Sequence, residues 1–209
     1  MYVQMFNKHP EFFTGVDFVR EAIKTGTFQI FPERNVTGET IANMKPGNWN
    51  PDEVSFEAMM VSTIYAFEVD KLQEESQIYP TIEIIDCKNL SLKQVMKVGL
   101  SEIRLGAEMT EHTLPIRWRK LFIVNENYLI DILYNMAKMF LSKEFRERLA
   151  FIGNNFTELH KMVPPHLLPP EYGGTSGKCD IDRFLERIEK MEEQLMKLWE
   201  PFKKQKISI

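Results

Sequence analysis

Leu114–Leu149, LPIRWRKLFIVNENYLIDILYNMAKMFLSKEFRERL, is the segment from which the architecture can be read. Arg119 to Asn125 (RKLFIVN) reads as a strand, a short apolar run with a β-branched and aromatic core. Tyr128 to Leu141 reads as a helix of unusual polarity. Asp131, Asn135, Lys138 and Ser142 recur at helical spacing and form one narrow polar stripe. The other sides are apolar: Leu129, Ile130, Ile132, Leu133, Met136, Met139, Phe140 and Leu141. Such a helix is either a core helix buried on both sides or a lid over an apolar cavity that meets something other than water. A basic cluster, Lys143, Arg146 and Arg148, follows at once.

Composition bounds the rest. The chain has 209 residues, enough for one domain with a small appendage and a real core. A net charge of −4 gives no global attraction to nucleic acid, so none is expected as partner. No apolar run approaches the roughly 18 residues of a membrane span, and the N-terminus lacks the blocks of a signal peptide. Cys87 and Cys179 stand apart, without metal or disulfide spacing. A soluble cytoplasmic protein is the expectation.

In chain order, Phe12 to Thr25 reads as a helix closed by Gly26. Thr27 to Phe31 and Glu39 to Met44 read as strands joined by hairpin-like PERNVTG. Asn50-Pro51-Asp52-Glu53 has the chemistry of a helix start, with the helix running to about Ser76. Thr81 to Asp86 (TIEIID) is a strand, and a helix spans about Ser91 to His112. Ala150 to Gly153 is one more short strand; a Pro-rich connection, VPPHLLPPEYGG, leads to a long C-terminal helix capped by Asp180. Strands alternating with helices predict an α/β domain with a mostly parallel sheet.

Catalytic signatures are absent: no P-loop, no G-x-G-x-x-G, no G-x-S-x-G and no H-E-x-x-H. His9, His112, His160 and His166 are scattered, and Cys87 reads as a buried structural thiol. No enzyme, metal or cofactor is expected. Glu83 is the anomaly. A central parallel strand is apolar on both faces, so Glu83 lies at a strand end, is paired, or faces a cavity where it meets a ligand's polar end.

FIVNEN, MFLSKEFRERL, AFIG and LLPPEYGG, together with TIEIIDCKNLSL and the TGTFQIFPERNVTGETI hairpin, resemble the CRAL-TRIO lipid-binding domain. The resemblance covers about Phe12 to Gly174 and points to the branch of tocopherol-transfer, retinaldehyde-binding and clavesin proteins, insect relatives in particular. It implies a three-layer domain at residues 25–178, with a five-stranded sheet, flanking helices and a mobile gate helix over an apolar pocket. Residues 1–24 would be the remnant of an N-terminal helical region, and 179–209 an amphipathic C-terminal helix.

By the same matching, pocket walls come from Met60, Thr63, Phe67, Thr81, Glu83, Ile85, Val98, Met109, Leu114, Ile116, Trp118 and Leu121. The gate presents Leu129, Ile132, Leu133, Met136, Met139 and Phe140, and Arg119, Lys143, Arg146 and Arg148 attract anionic lipid. Two lysines of the branch's phosphoinositide cleft fall on Ile82 and Glu144, leaving that site half-built, and Cys87-Lys88-Asn89 replaces the usual acidic-glycine turn. The implied function is binding one hydrophobic molecule (tocopherol, retinoid, carotenoid or other isoprenoid, or phospholipid) and moving it between membranes by gate opening. The implied location is cytoplasmic, with peripheral membrane contact. A phosphoinositide-binding regulator of membrane traffic is the alternative, and an enzyme using Cys87 or Glu83 a further one.

Overall fold

Five strands make one sheet in the order β1-β2-β3-β4-β5: Phe28–Ile30, Thr40–Met44, Thr81–Asp86, Trp118–Val124 and Leu149–Gly153. The hairpin pair β1–β2 is antiparallel and every later pair is parallel. The structure is a computed structural model that describes residues 10–114, 116–177 and 180–204. His9, Pro115, Cys179, the expected boundary at 178–179 and the side chains of Phe12 and Phe202 lie outside the described residues.

The parallel strands advance in one direction across the sheet, so right-handed crossovers place their helices on one face. These are α1 (Arg20–Lys24) before the hairpin, then α2 (Phe56–Lys71) and α3 (Glu74–Ile78), α4 (Leu92–Met96) and α5 (Leu100–Glu108), and α6 (Tyr128–Ala137) and α7 (Lys143–Arg146). The opposite face is covered by α8 (Thr157–Met162) and the Pro-rich segment after it. There Leu159, Val163, Leu167, Leu168 and Tyr172 pack on Ile41, Ile82, Ile84, Phe122 and Val124. Three layers result, as the resemblance implied.

The true core helix is α2, buried at every residue from Met59 to Asp70. It lies between the sheet and the last helix, α9 (Ile181–Lys204). Trp199 of α9 meets Tyr65 of α2 edge-on at 5.0 Å and Phe13 edge-on at 4.9 Å, so Phe13 and the last helix share the main core.

Several helix boundaries depart from the sequence expectation, in the first helix because tertiary partners claim backbone groups. Phe12 to Thr25 is broken at Gly15, whose N–H donates to Tyr65 Oη at 2.9 Å, while Val16 N–H donates to Glu192 Oε1 at 2.6 Å. Asn50 does not start α2; Ser55 caps it, accepting from Ala58 N–H, and the preceding turn is held by Trp49 Nε1 donating to the Val54 carbonyl. Around Leu72–Gln73 the chain leaves helix, separating α2 from α3. The expected Ser91–His112 helix is divided at Lys97–Gly99 and ends in a wide turn, Met109–Thr113. Asn89, in the turn that lacks the expected glycine, takes left-handed φ of 62°, which asparagine tolerates better than most residues.

Candidate functional site

On β3, Thr81, Glu83 and Ile85 point to the helical face, and Ile82 and Ile84 to the other. Glu83 sits mid-strand, its register neighbours being Ala42 on β2 and Leu121 on β4. Over this face lies an apolar cavity of about 320 Å³. Met44, Glu83, Ile85, Leu121, Ile123, Leu149 and Phe151 of the sheet form its floor. Phe56, Met59 and Met60 of α2, with Val98, Ile103, Gly106 and Ala107, form the walls. Ile130, Leu133, Tyr134, Ala137 and Leu141 face it from α6 and the turn after it, and Phe145 of α7 also lines it.

Few lining groups are polar, and most have partners. Gln94 donates to the Gly47 and Trp49 carbonyls, and Thr110 to Gly106. Glu102 meets Ser101 and is held below the usual carboxylate range by its own backbone N–H and by that serine. Glu83 differs: 4% exposed, it makes no hydrogen bond or ion pair among the described residues. Burial alone pushes its carboxyl up to about 8, so at neutral pH the protonated form prevails.

α6 lines one side of the cavity without being a core helix. Leu129 alone among its residues is buried, docked with Leu90 and Val95. Asn127 caps its start, accepting from Leu129 N–H at 2.9 Å. The Asp131–Asn135–Lys138 stripe is exposed, and so are the apolar Tyr128 and Ile132 on the helix and Met139 just after it. The helix thus carries one apolar face on the cavity and further apolar side chains in water.

Of the residues matched to pocket walls, Met60, Glu83, Ile85, Val98 and Leu121 line the cavity. Thr63, Phe67, Thr81, Met109, Leu114, Ile116 and Trp118 stand outside its lining, in the packed core beside it. Phe67 and Trp118 meet edge-on at 5.5 Å, and Trp118 Nε1 donates to the Thr110 carbonyl, so these side chains fill space rather than bound it. Among the gate residues Leu133 lines the cavity, whereas Leu129, Ile132, Met136, Met139 and Phe140 do not. The lining set Ile130, Tyr134, Ala137 and Leu141 lies one residue before the polar stripe. That helical spacing was visible in the sequence, but on a helix apolar all round it does not single out a face.

The basic residues matched to anionic lipid differ in their surroundings. Arg119 is ion-paired with Glu39, a carboxylate 1% exposed and also bonded by Asn35 and Thr37. Lys143, Arg146 and Arg148 are exposed, Lys143 lying 3.8 Å from Glu147. Ile82 is buried on the far face and Glu144 is exposed. Cys87 is buried outside the lining; burial, helped by the Asp86 and Glu126 carboxylates, pushes its thiol up to about 12, which opposes thiolate chemistry. Among the described residues no cluster of three acidic, histidine or cysteine side chains could hold a metal ion, and no helix is long and apolar enough to cross a membrane.

Residues 24–174 match the CRAL/TRIO domain family. Clavesin-1 of Xenopus laevis is 32% identical over 163 residues, which are 78% of this chain and 49% of that protein. Human Clavesin-2 is 28% identical over 163 residues, 78% of this chain and 50% of the relative. The chain therefore spans about half the length of the curated relatives it matches. In fold it is similar to the crystal structure of Sfh5, with a TM-score of 0.53 at 12% identity, covering 76% of this chain and 59% of that one.

Proposed function

The chain belongs to the CRAL/TRIO domain family, and from that premise we propose that it binds one lipid-like molecule in the cavity and moves it between membranes by displacement of α6. One observation carries the reading: α6 combines a cavity-lining face of Ile130, Leu133, Tyr134 and Ala137 with exposed Tyr128 and Ile132. In water the helix stays down because opening would wet both the cavity and any ligand. Each ligand CH₂ kept from water contributes about 0.8 kcal/mol. At a bilayer the exposed side chains find apolar surroundings, and the inner face can be uncovered without meeting water.

Lys138, Lys143 and Arg146 flank this surface and add attraction to anionic lipid. The protein would accordingly act from the cytoplasm at membrane surfaces, without catalysis. About 320 Å³ lies at the low end of ligand pockets, roughly 300–1,000 Å³. A single isoprenoid or acyl chain suits it better than a two-chain phospholipid. The regulatory alternative draws less support, since Arg119, which a phosphoinositide clamp would need, is held by Glu39.

Native mass spectrometry of the purified chain, followed by organic extraction, tests the reading. One hydrophobic molecule at near-stoichiometric occupancy is expected, together with transfer between vesicles. A clean apo mass with no uptake from isoprenoid- or phospholipid-loaded vesicles would sink it.

A further inference from the structure

Within the cavity-and-gate reading, on which this inference rests, we propose that Glu83 is the specificity-determining residue and that the preferred ligand is a single-chain lipid alcohol, its hydroxyl bonded to the Glu83 carboxyl. The placement of Glu83 carries the argument. It stands mid-strand on the cavity floor, flanked by Ala42 and Leu121, on a sheet face otherwise apolar at this depth. Its carboxyl has no hydrogen bond or ion pair among the described residues, whereas Gln94 and Thr110 are satisfied within the protein. A buried polar group without a partner is costly, so a folded chain carrying one across a ligand cavity is short of one ligand atom.

The chemistry of that atom follows. Besides Glu83, the titratable groups lining the cavity are Glu102, already bonded to Ser101, and Tyr134, whose ring meets Phe151 edge-on. No lysine, arginine or histidine lines it, so nothing positive holds Glu83 ionised. A neutral carboxyl presents one O–H donor and an acceptor oxygen. A hydroxyl offers the same pair in reverse and satisfies both. A hydrocarbon leaves the carboxyl unpartnered, and an anionic lipid tail brings a second charge without a counter-ion. An ammonium lipid would instead ionise Glu83 and pair with it.

The test uses the full chain with Glu83→Leu and Glu83→Gln. The probes are geranylgeraniol, the hydrocarbon of the same C20 skeleton and the corresponding primary amine, each displacing an apolar fluorophore. The wild-type chain is expected to bind the alcohol at least about tenfold tighter than the hydrocarbon, the worth of one buried hydrogen bond. Glu83→Gln, which keeps a donor and an acceptor, retains most of that ratio. Glu83→Leu brings it close to one by losing alcohol affinity while holding the hydrocarbon. If the leucine variant does not fold, the wild-type ratio and the glutamine variant decide alone.

Equal wild-type affinity for alcohol and hydrocarbon overturns the role of Glu83 and leaves the cavity reading intact. No binding of any probe overturns the cavity reading and this inference with it. An amine preferred tenfold over the alcohol, with the preference lost in Glu83→Gln, overturns the uncharged ligand class.

Discussion

The Ser142 backbone N–H donates to Glu111 Oε1 at 2.8 Å, tying the end of the closing segment to the wide turn that follows α5. Ser142 also caps α7 through its hydroxyl, which accepts from Phe145 N–H at 3.0 Å. The other end of the segment is held by Leu129 in its pocket and by Asn127. α6 is thus fastened at its two ends, and between them one of its faces lines the cavity.

Removing the Glu111 fastening should therefore loosen closure more than folding. Glu111→Ala is expected to cost about 1–2 kcal/mol, typical of a partly buried bond to a charged acceptor, while ligand release quickens several-fold. Stopped-flow transfer to acceptor vesicles, read beside a urea melt, separates the two. A loss of stability with an unchanged release rate would assign Glu111 to the scaffold alone.

Charging the outer surface should spare the fold and stop transfer. Ile132 is 42% exposed and Met139 69%, so Ile132→Glu and Met139→Glu should change stability by no more than about 0.5 kcal/mol. Ligand content after purification stays as in wild type, but transfer from anionic vesicles falls at least tenfold, because a carboxylate must enter the bilayer interface. Unimpaired transfer by the double variant would refute membrane contact through this face.

The unpartnered Glu83 should leave a signature in stability against pH. Its folded-state value, pushed up to about 8, exceeds the ordinary 4.5, so between these values the native state holds a proton that the unfolded chain has released. Stability due to this group is full below about pH 4.5, falls as pH rises, by at most about 1.4 kcal/mol per unit, and levels off above about 8. Glu83→Gln removes that slope, so the variant's advantage over wild type grows from pH 5 to 8. Parallel stability curves for the two proteins would show that Glu83 is ionised or partnered.

Behind the sheet, Tyr172 Oη donates to Asp86 Oδ2 at 3.0 Å and accepts from Asn43 Nδ2 at 2.9 Å. Asp86 is also bonded by Asn125 Nδ2 and Lys88 N–H, so the cluster locks the Pro-rich segment onto β3. Tyr172→Phe should cost about 1–3 kcal/mol, the penalty for leaving buried partners unmet. Ligand affinity should not change, because the cavity lies on the other face. Chemical denaturation and probe displacement measure each half.

Much of this was legible in the chain itself. TIEIID and the KLFIV run are short, largely apolar and rich in β-branched residues, as strands buried on both faces are. Their alternation with helical stretches argues for a mostly parallel sheet, and the same pattern isolates Glu83 as a charge where none belongs. The apolar girth of Tyr128–Leu141 marks a helix with an unusual neighbour. These are local properties, written in residue type and period.

What local pattern does not carry is which apolar face meets which neighbour. FEAMMVSTIYAF and YLIDILYNMAKM are both apolar nearly all round, yet the first is sandwiched between sheet and C-terminal helix and the second is half in water. That difference arises from α9, more than a hundred residues further on in the chain, covering one and not the other. The broken first helix, the pairing of Arg119 with Glu39 and the division between cavity wall and filled core have the same origin. Each is a contact between residues distant in sequence. Only after the sheet brings those residues together do their backbone groups, charges and volumes compete for one another.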